Sequence, residues 1–428
     1  MNVEDLFGSF LSRLNQRLMA FPETSDATTL PAADPDQSYL LYLHVPYCMS
    51  LCPFCSFHRV RFDHDSATGY FKSLRHEVRL HEDLGYHFDE LYVGGGTPTV
   101  LPAELFRTIS EVRERHAITS VSVETNPDHL RPDSLQLLQD AGVNRLSVGV
   151  QSFDDELLQA MHRYEAYGSG AETAQRLKQA SGRFDTLNVD MIFNLPQQTA
   201  VSLRRDLDIL LDDVGADQVS FYPLMASETT RALMSRTMGA PGSTHERKFY
   251  EMIVERMLSA GYQRASAWCF SRAAGMLDEY IIDHDEYVGL GSGAFSYVGG
   301  SLYASAFAIQ QYVRMVESGS SGTVNRRVLS ERDQMRYYLL MRLFGGSLHK
   351  NQAEAHFNGK FQQKLWPELA ALKSVGAIRH KGEALQLTER GYYLWVILMR
   401  EFFGGINTLR EQVRRDTVQE QPALRARE

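Results

Sequence analysis

The sequence predicts an α/β protein, a partial (β/α)6 barrel carrying a small C-terminal α+β domain of winged-helix-like order. Three observations predict it. First, apolar runs at Tyr39–Val45, Glu90–Val93, Ser120–Val123, Arg145–Val150, Thr186–Phe193 and Gln218–Leu224 alternate with helical patterns over 66–84, 102–115, 131–141, 154–182 and 200–213. Such alternation builds a parallel sheet with helices packed outside it. Second, cysteine and polar residues gather where those runs end, which is where parallel β/α folds place their chemistry. Third, residues 365–403 read as helix, strand, strand, helix.

Residues 1–22 carry Leu6, Phe7, Phe10, Leu11, Leu14 and Leu18 at helical spacing, with Arg13 and Arg17 on another face. This pattern predicts an amphipathic helix docked on the body, with a membrane surface as its other possible partner. Pro22, Pro31 and Pro35 mark a linker, so residues 1–38 form an N-terminal extension. The barrel and its extension are expected over 39–300 and the accessory domain over 301–415. The charged stretch 416–428 is expected to be a disordered tail.

A net charge of -9 argues against a nucleic-acid partner. No apolar run approaches the roughly 20 residues of a membrane span, and the N-terminus lacks a secretory pattern. A cytoplasmic location with some peripheral membrane contact is therefore expected. Three of the four cysteines, Cys48, Cys52 and Cys55, are spaced C-x3-C-x2-C directly after the first apolar run. This is no disulfide framework. Three thiolates on one loop suit three irons of a [4Fe–4S] cluster, which leaves the fourth iron open to a small molecule. A structural zinc site competes with that reading, but it would want paired C-x2-C units or suitably spaced histidines. His44 and His58 flank the cysteines without that spacing.

The second run ends in Gly94-Gly95-Gly96-Thr97-Pro98-Thr99, whose backbone N–H groups can face a carboxylate or phosphate. It is not a P-loop, because no Gly-Lys-Ser/Thr follows. Glu124 ends the third run, Gln151 the fourth, and Asp190 lies in the fifth. Any one of them could be a satisfied structural group. Together, beside a cysteine loop, they form one ligand site.

These motifs, with Val45-Pro46-Tyr47-Cys48, Glu124-Thr125-Asn126-Pro127, Leu195-Pro196 and Gly289-Leu290-Gly291-Ser292-Gly293-Ala294-Phe295-Ser296, resemble the radical S-adenosylmethionine (SAM) superfamily. The resemblance is narrower to the branch of oxygen-independent coproporphyrinogen III dehydrogenase, its related heme chaperones and the class C radical SAM methyltransferases. It implies a radical SAM barrel in which Cys48, Cys52 and Cys55 hold the cluster. The open iron would chelate SAM, which yields a 5′-deoxyadenosyl radical once an electron arrives from a donor such as flavodoxin or ferredoxin. It also implies two SAM molecules, contacted by Tyr42, Phe54, Gly95, Gly96, Thr97, Glu124, Gln151, Arg163, Asp190, Pro223 and Phe295.

Two departures steer the functional expectation. Phe57 stands where the dehydrogenase motif has a further cysteine. Met276-Leu277-Asp278-Glu279-Tyr280-Ile281-Ile282 stands where the heme chaperones carry His-Asn-x-x-Tyr-Trp. The apolar segment Tyr392–Phe403 adds a hint of a hydrophobic substrate. The expectation is a radical SAM C-methyltransferase acting on an sp2 carbon of a hydrophobic aromatic molecule, with menaquinone ring carbon 8 as the example. The alternatives are a coproporphyrinogen III dehydrogenase-like enzyme and a non-enzymatic heme chaperone. Cys269 reads as a buried, inert thiol. His284 and Tyr297 are candidate proton-transfer groups, and no catalytic residue is assigned.

Overall fold

The computed structural model describes residues 29–419 apart from 226–227, 240–241, 243–244 and 274–283. The helix expected over 1–22, the Met276–Ile282 segment and residues 420–428 of the tail lie outside the described residues.

The six expected strands all form. β1 (Tyr39–Val45) is followed by two short strands, β2 (Tyr47–Cys48) and β3 (Val60–Arg61). Then come β4 (Phe88–Gly95), β5 (Ser120–Thr125), β6 (Arg145–Gln151), β7 (Thr186–Phe193) and β8 (Gln218–Pro223). β1 and β4 to β8 pair in sequence, all parallel. Both faces are covered, which is why these strands read as continuous apolar runs. Leu41, Leu43, Val93, Val123, Leu146, Val148, Leu187 and Val189 are fully buried.

The covering helices start where the local chemistry allows. Asp63 caps α1 (His64–Glu82) by accepting from Ser66 N at 2.9 Å. Prolines open α2 (Pro102–Arg115) and α3 (Pro132–Asp140), where a missing N–H costs nothing. The long helix expected over 154–182 is instead three: α4 (Asp155–Ala160), α5 (Tyr164–Tyr167) and α6 (Gly170–Ala180). His162 (φ 56°) and Gly168 (φ 96°) turn the chain left-handed between them, and a Ser169–Glu172 capping box restarts it. α7 (Ala200–Asp208) passes into a π-helical turn at Ile209–Val214.

The sheet grows at both edges beyond the six strands. After α8 (Glu228–Thr237) and α9 (Glu246–Ser259), β9 (Gln263–Arg264) and β10 (Cys269–Ser271) add antiparallel beside β8. β11 (Tyr287–Leu290) returns to pair parallel with β1, placing Gly289 opposite Tyr42. β12 (Phe295–Val298), β13 (Ser301–Ser305) and, after α10 (Ile309–Glu317), β14 (Thr323–Val328) extend that edge antiparallel. The order is β14-β13-β12-β11-β1-β4-β5-β6-β7-β8-β10-β9.

The C-terminal part contains α11 (Glu331–Phe344), β15 (Ser347–His349), α12 (Lys350–His356), α13 (Phe361–Ser374), β16 (Ile378–Lys381), β17 (Ala384–Leu387) and α14 (Glu389–Gln419). α13, β16, β17 and α14 keep the expected order, and β15 completes a small antiparallel sheet. α14 runs into the stretch expected to be a disordered tail. Its apolar segment faces protein. Val396 and Met399 are fully buried, Trp395 Nε1 donates to Leu340 O at 3.0 Å, and Arg400 pairs with buried Glu246. Packing therefore accounts for the segment that had hinted at a lipid-like substrate or membrane contact. Among the described residues, no helix is long and apolar enough to cross a membrane.

Candidate functional site

The loop between β2 and β3 is closed at its base. Tyr47 pairs with Val60 and Cys48 with Arg61; Val60 N donates to Pro46 O at 2.7 Å and Phe62 N to Cys48 O at 2.9 Å. From this clasp the loop arches over the C-terminal ends of the parallel strands. Cys52 and Phe54 pack with Leu195, just past β7, and Leu224, just past β8. Ser56 Oγ donates to Met225 O at 3.2 Å. A loop rooted on β1 thus reaches the far end of the parallel run.

Cys48 and Cys52 are buried, Cys55 is half-buried, and all three are free thiols. Thr97 Oγ1 donates to Cys48 Sγ at 3.6 Å, and Arg163 Nη1 to Cys52 Sγ at 3.5 Å. Burial pushes the Cys48 thiol up to about 12, against the opposing pull of the Thr97 hydrogen bond. Cys48 therefore stays protonated until a metal displaces the proton. Arg163 also donates through Nη2 to Asn126 Oδ1 at 3.0 Å and to Gly149 O, and it stacks over the Tyr167 ring at 4.3 Å. Arg59 Nη2 donates to the carbonyls of Cys52 and Cys55. The Nε atoms of Arg59 and Arg163 are buried without a partner, so each guanidinium keeps a donor unspent.

The glycine turn supplies close approach. A Cβ on Gly96 would lie 2.7 Å from Tyr47 O and 3.0 Å from Cys48 Sγ. Gly95 sits at φ 119°, and its N–H donates to Glu124 Oε2 at 2.9 Å. Glu124 Oε1 accepts from Tyr92 OH at 2.9 Å. Thr97 is buried and accepts from Asn126 Nδ2 at 2.8 Å. Asp190 accepts from Ser147 Oγ and Asn188 Nδ2, both at 2.8 Å. Tyr42 OH lies 2.9 Å from His44 Nδ1, and His44 Nε2 lies 2.9 Å from His58 O. Gln151 ends β6 at φ 77°, where the register against β7 shifts. Gln151, His162, Asn194 and Gln197 are four of the five non-glycine residues with positive φ among the described residues. Each such residue costs about 1–3 kcal/mol, and such strain concentrates at functional sites. Pro223 closes β8 and Phe295 opens β12, its ring centroid 6.3 Å from that of Phe307.

The candidates on β1, β4 to β8 and the cysteine loop thus line one end of the sheet, with Phe295 beside the end of β11. His284 and Tyr297 do not join them. His284 pairs with Glu90 at 3.3 Å, near the start of β4, and the β11–β12 hairpin carries Tyr297 back opposite Tyr287. Both lie at the opposite end from the cysteines, so neither can move a proton there. Cys269 is fully buried in β10, opposite Ser220. Arg59, Tyr92 and Asn126 were not among the site candidates. Arg59 left one trace in the sequence, as the only Lys or Arg between Cys48 and Val60.

The donor set fits an iron–sulfur cluster: three free thiols on one arched loop, a glycine cradle against Cys48, and guanidinium donors left over for an anion. Among the described residues, no group of three or more His, Cys, Asp or Glu is arranged to hold a single metal ion. Thiolates bound to separate irons of one cluster need not meet that geometry. When bound, a [4Fe–4S] cluster held by three cysteines supplies one electron and one open coordination position. The chain's own residues donate hydrogen bonds to the Cys48 and Cys52 sulfurs, fix the loop and present carboxylates and N–H groups around it.

Residues 42–210 match the model of the radical SAM superfamily. The chain is 26% identical to the heme chaperone HemW of Bacillus subtilis, over 85% of this chain and 99% of that protein. It is 29% identical to the oxygen-independent coproporphyrinogen III oxidase of Cereibacter sphaeroides, over 85% of this chain and 86% of that one. The solved coproporphyrinogen III oxidase (HemN) of Escherichia coli superposes with a TM-score of 0.73, covering 91% of this chain and 93% of that one at 22% identity, which shows the shared fold. These matches overturn the methyltransferase expectation and its menaquinone example. Relatives matched over most of their length include heme chaperones and coproporphyrinogen oxidases, the two readings kept as alternatives. The sequence reading gave weight to Phe57, to Met276–Ile282 in place of the chaperone signature, and to an apolar helix; the second lies outside the described residues, and the third is core.

Proposed function

We infer a tetrapyrrole-binding protein of the heme chaperone kind, from a chain that matches the radical SAM superfamily model over residues 42–210 and is similar to heme chaperones and coproporphyrinogen oxidases. The observation that carries this reading is the match to the Bacillus subtilis heme chaperone across 99% of that protein's length. Phe57 supports it, because the loop lacks the further cysteine of the dehydrogenase motif. Met49, Leu51 and Phe57 are exposed apolar side chains on the cysteine loop, and they offer a flat macrocycle an apolar surface beside the cluster. In this reading Cys48, Cys52 and Cys55 hold the cluster, the strand-end residues hold two SAM molecules, and a flavodoxin or ferredoxin supplies the electron.

Heme titration of the reconstituted protein tests it: a Soret band should saturate near one heme per chain. A second reading, coproporphyrinogen decarboxylation, draws on the 29% identity to the Cereibacter sphaeroides enzyme. Anaerobic incubation with SAM, reductant and coproporphyrinogen III separates the two. Carbon dioxide release in step with substrate loss would replace the chaperone reading, and heme binding without that release would keep it.

A further inference from the structure

We propose that Arg59 is the built-in counter-charge of the cluster, placed to raise its reduction potential. Four observations carry this. Arg59 stands at the foot of the cysteine loop, directly before β3, so the β2–β3 clasp fixes its backbone. Its Nη2 donates to the carbonyls of two of the three loop cysteines, Cys52 and, at 2.8 Å, Cys55. The guanidinium thus draws both residues around one cation. Its Nε is buried and unpartnered, so the group held by those carbonyls keeps a donor to spare. Among the described residues no carboxylate pairs with it, whereas Arg75, Arg79, Arg115 and Arg256 on the covering helices all form ion pairs.

The physics gives the direction. Reduction adds one electron to the cluster, taken from an external low-potential one-electron donor, and makes it more negative. A fixed cation in a partly dehydrated setting favours the more negative state. Charge and hydrogen bonding around a metal centre tune it in this way without touching the metal. Arg59 is a positioning and tuning residue: it reaches the cluster only through the cysteines.

The inference rests on the cluster assignment and not on the choice of tetrapyrrole. The test is an anaerobic redox titration of the reconstituted protein, followed by electron paramagnetic resonance and with iron counted in each sample. The iron content of the unmodified chain reads the cluster assignment on its own. Arg59→Gln and Arg59→Met should keep four irons and show a midpoint lowered by at least a tenfold change in the reduced-to-oxidised ratio, about 59 mV for one electron. Arg59→Lys, which keeps the charge but loses the fork, should stay within that margin of the unmodified protein. Two results would overturn the proposal. One is a neutral variant that holds four irons at the unmodified potential. The other is that neither neutral variant retains iron while Arg59→Lys does, which would make the cation a requirement for holding the cluster rather than for tuning it.

Discussion

The two ends of the parallel sheet are built on opposite terms. At the end where the strands start, charge is spent locally. Arg342 and His356 both face Asp285, His284 faces Glu90, and Tyr338 stacks on His356 with ring centroids 5.2 Å apart. At the end where the strands stop, Arg59 and Arg163 keep buried donors unspent, four non-glycine residues hold left-handed backbones, and apolar Met49, Leu51 and Phe57 face solvent. Buried polar atoms without a partner occur at both ends, Asp89 and His116 among them at the first, but the second combines them with strained backbones, free thiols and exposed apolar side chains on one loop, as a site for a bound group would. One sheet thus carries a closed end and an open one.

The sharpest way to break this contrast is to empty the open end. Replacing Cys48, Cys52 or Cys55 by Ala should drop reconstituted iron from about four per chain to about one or fewer, read by iron assay and visible absorbance. Full iron in all three variants would remove the cysteines from the site. Next in size is Arg163→Ala. Loss of hydrogen bonds to a charged group costs about 1.5–3 kcal/mol, so SAM binding to the loaded protein should weaken roughly 10- to 100-fold by calorimetry. An unchanged affinity would return Arg163 to the structural framework.

Asp206 supplies a pH test at the same end. It accepts from Ser152 Oγ and Phe153 N, both at 2.8 Å, just past β6. Burial lifts its carboxyl to about 7, well above its ordinary range. A raised folded-state value means that the folded chain holds the proton more tightly. The associated stability is therefore full below about pH 4 and is lost as pH climbs to about 7, at no more than roughly 1.4 kcal/mol per unit. Thermal melts of Asp206→Asn should lose this slope between pH 5 and 7. A slope equal to that of the unmodified chain would show that Asp206 is not its source. The smallest effect belongs to the closed end. Arg342→Ala breaks a partly exposed ion pair and should cost about 1 kcal/mol or less, with iron content unchanged. Iron loss in that variant would couple the two ends and erase the contrast.

What could be read from the sequence follows the range of the interactions involved. β1 and β7 match their predicted residues because strands buried on both faces write their own boundaries. The cysteines and the glycine turn were legible because their spacing is local. β11 was not, because four residues that include Gly289 carry little signal and pair with a strand 247 positions earlier. The break in 154–182 depends on His162 adopting a left-handed backbone, which its residue type does not announce. Arg59, Tyr92 and Asn126 matter through partners that only the fold supplies. Tyr92 serves Glu124, 32 positions on, and Asn126 serves Thr97, 29 positions back. The substrate reading failed for a related reason. The apolar stretch in α14 has the composition of a lipid contact, and only tertiary packing shows it to be core.

The pairing of β1 with β11 also sets a timetable. The strand that bears the cysteine loop is made early, yet its outer neighbour ends at Leu290. At about 5–20 residues per second, roughly ten seconds or more separate the cysteines from that neighbour during synthesis. Through that interval β1 has an open edge and Gly291 has not yet reached Glu77, to which its N–H donates at 2.9 Å. The thiols therefore exist long before the pocket around them is complete. Stable loading of iron is expected late, on a nearly finished chain, and any earlier visitor to those sulfurs meets a half-built site.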